Sequence, residues 1–89
     1  MNNFIEINGF VVNLDCVDTV EIKLKDEGVV SFVVKMTSGV LHTTKDLNMQ
    51  DACVFLSLAL NIPVNASESV IKNPNYPLIT IEKEASKKE

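Results

Sequence analysis

The chain has 89 residues and a mass of 9.8 kDa, enough for one domain, since independent cores usually need about 100–200 residues each. Hydrophobic residues make up 46% and charged residues 22%, which excludes disordered, collagen-like and disulfide-scaffold classes. Eight lysines, no arginine and twelve carboxylates give a net charge of −4, so the molecule repels polyanions and lacks the guanidinium fork that reads nucleic acids. We therefore expect no nucleic-acid partner.

Membrane, export and disulfide signals are weak in this sequence. The longest apolar run, residues 52–60, contains Ser57 and is shorter than the roughly 20 residues that cross a bilayer. The first residues, 1–4, lack the basic and apolar regions of a secretory signal. Cys16 and Cys53 lie far apart in no Cys-x-x-Cys pattern and indicate reduced thiols. The sequence predicts a cytoplasmic protein with no membrane partner, no metal and no cofactor.

The first half of the chain consists of β-prone runs separated by turn residues. Asn8-Gly9 between two such runs predicts a hairpin with a type I′ turn, because both residues tolerate positive φ. Further strands are predicted over residues 20–25, 29–37 and 40–44. These five strands are expected to form an antiparallel meander.

The alternation of residue types predicts which strand faces are buried. In residues 20–25, apolar and charged residues alternate, so one face is expected to meet the core and the other solvent. In residues 29–37 both faces carry apolar side chains. Val30, Phe32, Val34 and Met36 share one face, and Val29 and Val33 share the other. The second face of this strand therefore needs a cover.

A helix is predicted over residues 49–60, because Asn48 and Asp51 have capping-box spacing and the segment lacks glycine and proline. At 100° per residue, one stripe should lie on the sheet: Met49, Ala52, Cys53, Leu56, Ala59 and Leu60. A second apolar cluster, Val54, Phe55 and Leu58, points away from that stripe. A chain this small has too little of its own mass to cover both faces.

The last third of the chain predicts a short second helix to Lys72, a proline-rich loop over residues 73–77 and a final strand over residues 78–82 at an edge of the sheet. The expected fold is therefore α+β, with an antiparallel meander of about five to six strands packed against one main helix. The domain is expected to span residues 1–82, followed by a disordered polar tail over residues 83–89.

The residues that commonly carry catalysis have structural explanations here. His42 is the single histidine and lies on a predicted strand. Cys16 falls in a turn and Cys53 on the apolar helix stripe, where free cysteine is commonly a small hydrophobe. Two carboxylate pairs lie in predicted turns, where aspartate is favoured for local hydrogen bonds: Asp15 with Asp18, and Asp26 with Glu27. We predict no catalytic residue and no metal ligand.

Aromatic residues make up only 6% of the chain, and the four phenylalanines are mostly at predicted core positions, so no base-stacking platform is expected. Tyr76 lies in a stiff loop, where it either contacts a partner or covers the core. With His42, Thr43 and Thr44 it forms the set of polar side chains that we expect to contact a ligand or partner. The predicted interface is apolar and consists of Val54, Phe55, Leu58, Val29 and Val33.

The order of turns and strands up to the helix, with turns at residues 7–9, 13–15 and 37–39, resembles small orphan proteins of low-GC bacteria and their phages. It also resembles flagellar FlbD-type proteins, which share an Asn-Gly hairpin, a following strand pair and a C-terminal helix. The resemblance covers residues 4–60 and rests on turn placement and hydrophobic alternation, so no functional residue is carried across. It implies a short accessory or phage-borne protein that acts by binding.

The sequence has more apolar surface than one small core can bury, and it has no evident set of catalytic residues. This combination predicts a non-enzymatic protein-binding module. We expect it to form homo-oligomers and to dock on another protein, and in a phage-borne version to inhibit a host protein. The alternative is a protein that binds or sequesters a small ligand in a pocket between subunits, because such a pocket needs no sequence motif.

Overall fold

The computed structural model of the chain describes residues 4–25, 28–73, 76 and 79–83. Within these residues there are six strands and two helices, which confirms the predicted α+β class. In chain order they are β1 (Phe4–Ile7), β2 (Phe10–Asn13), β3 (Val17–Leu24), β4 (Val30–Met36), β5 (Leu41–Thr43), α1 (Met49–Leu60), α2 (Val64–Lys72) and β6 (Ile79–Lys83).

β1 and β2 form the predicted hairpin. Asn8 and Gly9 have φ values of 51° and 85°, the left-handed conformation that a type I′ turn requires at both positions. Ile7 and Phe10 are the first pair after the turn, and Ile5 pairs with Val12. The hairpin is a separate two-stranded sheet because a 3-10 turn over Leu14–Cys16 lies between β2 and β3.

The other strands form a four-stranded sheet in the order β5-β4-β3-β6. β4 is antiparallel to both β3 and β5, whereas β6 lies parallel to β3 at the sheet edge. A parallel neighbour needs a long crossover, and the two helices provide it between β5 and β6. The expected strands are thus divided between two sheets, and β6 lies at a sheet edge, as predicted, beside a parallel neighbour. The predicted inner face of β4 is buried: Val30, Phe32, Val34 and Met36.

Helix α1 has the predicted bounds. The Asn48 side-chain oxygen accepts a hydrogen bond from the Asp51 backbone N–H at 2.7 Å, and the helix ends where Asn61 takes a left-handed conformation. Four members of the predicted inner stripe are buried, and Met49 and Leu60 pack against the same core. The buried four are Ala52, Cys53, Leu56 and Ala59.

Helix α2 follows Pro63 and packs against α1. The buried side of α2 consists of Ser67, Val70 and Ile71, and the Ser67 hydroxyl donates to the Pro63 carbonyl at 3.0 Å. Neither described helix alone has the length and hydropathy to cross a membrane; the two pass that test only as a pair bent by 103°.

Several sequence predictions fall outside the described residues. They concern the turn residues Asp26 and Glu27, most of the proline-rich loop (Pro74, Asn75 and Pro77) and residues 84–89 of the predicted tail. Lys83, the first residue of that tail, is the last residue of β6.

Two leucines of α1 allow a matched test of the packing, because Leu56 is fully buried and Leu58 is 67% exposed. We expect Leu56→Ala to lower the free energy of unfolding by about 2–5 kcal/mol, through lost burial and a residual cavity. Leu58→Ala is expected to change it by no more than about 0.5 kcal/mol. Urea denaturation followed by circular dichroism measures both, and equal losses would contradict the assigned orientation of α1.

Candidate functional site

The outer cluster of α1 divides into one core residue and two surface residues. Phe55 is half-buried and stacks on Phe32 of β4, with ring centroids 4.5 Å apart and planes inclined by 21°. Val54 is 44% exposed and Leu58 is 67% exposed. The Phe55 ring therefore joins α1 to the sheet, while the two aliphatic side chains meet solvent within this chain.

These side chains form one wall of a cleft of about 320 Å³. The opposite wall is strand β1 with the first turn residue, and the third side is the segment between β5 and α1. We call this depression the β1–α1 cleft. Its lining residues are Ile5, Glu6, Ile7 and Asn8, then Thr44, Lys45 and Leu47, and on the helix Asp51, Val54, Phe55 and Leu58.

The third side of the cleft is held by the main sheet. Leu47 and Val30 exchange two backbone hydrogen bonds of 2.7 and 2.8 Å. Asp46 accepts a hydrogen bond from the Lys25 ammonium group at 2.9 Å. These contacts attach the segment before α1 to β4 and to the residue that follows β3. The third side of the cleft is therefore held in place and is not a free loop.

β1 contributes its free edge to the cleft. Four consecutive residues, Ile5 to Asn8, line the cleft, and no residue of β2 does. In a hairpin closed by a two-residue turn, Ile7–Phe10 and Ile5–Val12 are the hydrogen-bonded pairs, so the Glu6 backbone N–H and C=O point away from β2. Among the residues that the structure describes, no strand pairs with that edge.

The cleft lining contains three charged residues, and all three are exposed. Glu6 stands on the strand wall, Asp51 on the helix wall and Lys45 on the third side. Two carboxylates and one ammonium give the lining a net charge of −1, and most of the remaining lining side chains are apolar. Such an arrangement suits an apolar ligand or peptide that carries a positive group.

Of the four polar residues singled out from the sequence, Thr44 alone lines the cleft. Its hydroxyl accepts a hydrogen bond from the Phe32 N–H at 2.9 Å, and its own N–H donates to the Phe32 carbonyl at 2.9 Å. Thr44 thus continues the pairing of β5 with β4. Its hydroxyl oxygen therefore has a structural partner in the backbone of β4.

His42, Thr43 and Tyr76 lie elsewhere. The His42 ring is half-buried, 5.6 Å from the Phe10 ring, and the Thr43 carbonyl accepts a hydrogen bond from the Asn8 side-chain amide. These two contacts attach the hairpin to β5. Tyr76 is exposed, and its carbonyl accepts a hydrogen bond from the Ile79 N–H at 3.0 Å. The structure therefore does not bring the four polar residues together.

The five predicted interface residues do not form one surface either. Val33 pairs with Glu21 and Thr43, and strand alternation places it on the opposite face of β4 from Phe32. Val29 immediately precedes β4, and both valines are half-buried. Alternation along a strand assigns a residue to a face, but it does not tell which other elements share that face.

Two phenylalanines differ from the core positions expected of them. Phe4 and Phe10 are both more than half exposed, whereas Phe32 is fully buried. The reason is that a two-stranded hairpin has little interior of its own. The sequence analysis did not include β1 in the site. The available signal was Asn8-Gly9, which predicts that β1 pairs with β2 in a hairpin and so leaves its other edge open to a further contact.

The two cysteines are free thiols in different surroundings. Cys16 is exposed at the end of the 3-10 turn, and Cys53 is buried on the inner stripe of α1. Burial, followed by the negative charge of Glu68, raises the pKa of the Cys53 thiol above its ordinary value. Among the described residues, no three His, Cys, Asp or Glu side chains lie close enough to hold a metal ion.

Comparison with protein-family models, with curated proteins and with solved structures finds no match to this chain. The lining of the β1–α1 cleft offers mostly apolar side chains, residues of a strand edge and three charged groups. Groups of these kinds can contact a ligand or a protein partner.

The thiols provide a test of the packing behind the cleft. We expect Cys16 to react with Ellman's reagent at pH 8 at least about tenfold faster than Cys53, because a buried thiol with a raised pKa has less thiolate and reacts only when the helix opens. The measurement compares the wild type with Cys16→Ser and Cys53→Ser. Fast labelling of the Cys16→Ser variant would show that α1 is not packed as described.

Proposed function

We propose that this protein is a non-catalytic protein-binding module and that the β1–α1 cleft is its binding surface. The observation that carries the proposal is the exposure of Val54 and Leu58 beside a cleft lined by Ile5, Leu47 and Phe55. Contiguous apolar surface of this kind is characteristic of protein-interaction sites.

The same helix supports both the fold and the proposed surface. Ala52, Cys53 and Leu56 bury the inner side of α1 in the core, so the helix is held without its outer side. Phe55 adds a further contact between α1 and β4, because its ring stacks on Phe32. A partner would therefore meet a wall that is already ordered, and binding would cost little conformational entropy on this side.

The biological role that we propose is modulation of another protein. The resemblance to small accessory and phage-borne proteins supports this role, as does the mostly apolar lining of the cleft. Self-association through the cleft is the homo-oligomeric version of the same proposal. Inhibition of a host protein is the form that a phage-borne gene would take.

A small-ligand binding protein is the second candidate. The cleft volume of about 320 Å³ lies at the lower end of the range of about 300–1,000 Å³ for small-molecule sites. A thermal-shift panel of metabolites separates the two functions. A rise in Tm that is present in the wild type and absent from Leu58→Asp would favour a ligand; no shift across the panel would favour a protein partner.

Leu58→Asp tests the protein-binding proposal, with Leu41→Asp as the matched control because Leu41 is 59% exposed on β5 and does not line the cleft. A protein captured from the host by the wild-type chain is purified, and its Kd for the three forms is measured by calorimetry. We expect Leu58→Asp to weaken binding at least about tenfold, because it places a charge in an apolar contact. Leu41→Asp is expected to bind like the wild type.

The contradictory outcome is equal affinity of the two variants for the purified partner, since binding would then not involve the cleft. Light scattering of the wild type over a range of concentrations, with the same two variants, tests the homo-oligomeric version. Dimers that persist in Leu58→Asp would exclude the cleft as their interface.

A further inference from the structure

We propose, building on the function proposed above, that the partner enters the β1–α1 cleft as an extended strand. This strand pairs antiparallel with the free edge of β1, places a basic residue opposite Glu6 and directs the apolar residues on either side of it into the cleft. The partner chemistry is thus a peptide segment that alternates apolar and polar residues around a lysine or arginine.

The backbone of β1 is the first reason. The Glu6 N–H and C=O point away from β2 and toward the cleft, so they are positioned to exchange hydrogen bonds with an incoming strand. Strand addition to an exposed edge is a recurring mode of peptide recognition, in which backbone bonds give affinity and alternate side chains give specificity. An incoming strand would extend the hairpin to three strands.

The helix wall is the second reason, because its spacing matches that of a strand. Val54 and Leu58 are four residues apart on α1, which corresponds to about 6 Å along the helix axis. Side chains on one face of a strand recur every two residues, about 6.6 Å apart. Two apolar side chains of an incoming strand can therefore contact Val54 and Leu58 in turn.

Charge favours a segment of another protein over a second copy of β1 as the occupant of the cleft. Two copies of β1 could pair antiparallel along their outer edges, with residues 4 to 8 of each copy in the pairing. In that register the two Glu6 side chains lie directly across from each other. Like charges in that position are destabilising. A basic residue there would instead pair with Glu6, while Lys45 lies on the third side of the cleft.

The experiment selects peptides from a random twelve-residue library displayed on phage, using the whole chain as bait. We expect enriched sequences to alternate apolar and polar residues around one lysine or arginine. The synthetic peptide should slow hydrogen exchange of the Glu6 amide, measured by NMR, by at least about tenfold. Enriched peptides with apolar residues at helical spacing, or no enrichment at all, would overturn strand addition.

A proline pair tests the backbone contact. Glu6→Pro removes the N–H that faces the cleft, whereas Val11→Pro removes the corresponding outward N–H of β2, the residue that pairs with Glu6. Because Glu6→Pro also removes the carboxylate, its reference is Glu6→Gln, which keeps the N–H. We expect Glu6→Pro to bind the selected peptide at least about tenfold more weakly than Glu6→Gln, and Val11→Pro to bind it with the Kd of the wild type. Equal effects of the two prolines would overturn the proposal.

Peptide N-methylation repeats this test without altering the protein's fold. Methylation at the basic residue removes the N–H that would donate to the Glu6 carbonyl, while methylation at the next residue alters an N–H that points away from β1. Binding lost only in the first case supports the proposal, and equal loss contradicts it. If Leu58→Asp abolishes binding but no backbone change matters, the cleft binds proteins without strand addition; if neither matters, the proposed function fails too.

Discussion

The stacking of Phe55 on Phe32 is the contact on which the geometry of the site depends. It joins α1 to β4 across a centroid distance of 4.5 Å, next to the fully buried Leu56. A roll of α1 on the sheet would separate the two rings and disturb the packing of Leu56. The position of Val54 and Leu58 relative to β1 follows from this attachment.

The hairpin is attached to the rest of the chain separately. Ile7 and Val12 enter the main core, the Asn8 side chain donates to the Thr43 carbonyl, and Phe10 lies against His42. These contacts hold β2 and the turn, and residues of β1 line the cleft together with residues of α1. The cleft exists because two elements far apart in sequence are each secured to the same sheet, with a gap between them.

This arrangement explains how a small domain can keep an apolar surface without losing its stability. The core is complete without Val54 and Leu58, since it is built from the inner faces of β3 and β4, the inner stripe of α1 and the buried side of α2. Residues outside that core are under little constraint from folding. Val54 and Leu58 can therefore stay apolar and exposed beside the cleft without a cost to the core, and this is the surface that we propose for binding.

Local patterns in the sequence determined the elements. Asn8-Gly9 predicted the hairpin, alternation predicted the buried face of β4, and the spacing from Asn48 to Asp51 with the apolar stripe predicted α1 at its observed bounds. Each of these depends on residues within one or two turns of each other, where sequence and conformation are directly linked. Only the tertiary structure decided that β6 runs parallel to β3, that Val33 lies on another face from Val54, and that the edge of β1 opens onto α1. These features depend on how separate elements pack across long stretches of chain, and a periodicity within one element carries no information about which element will lie beside it.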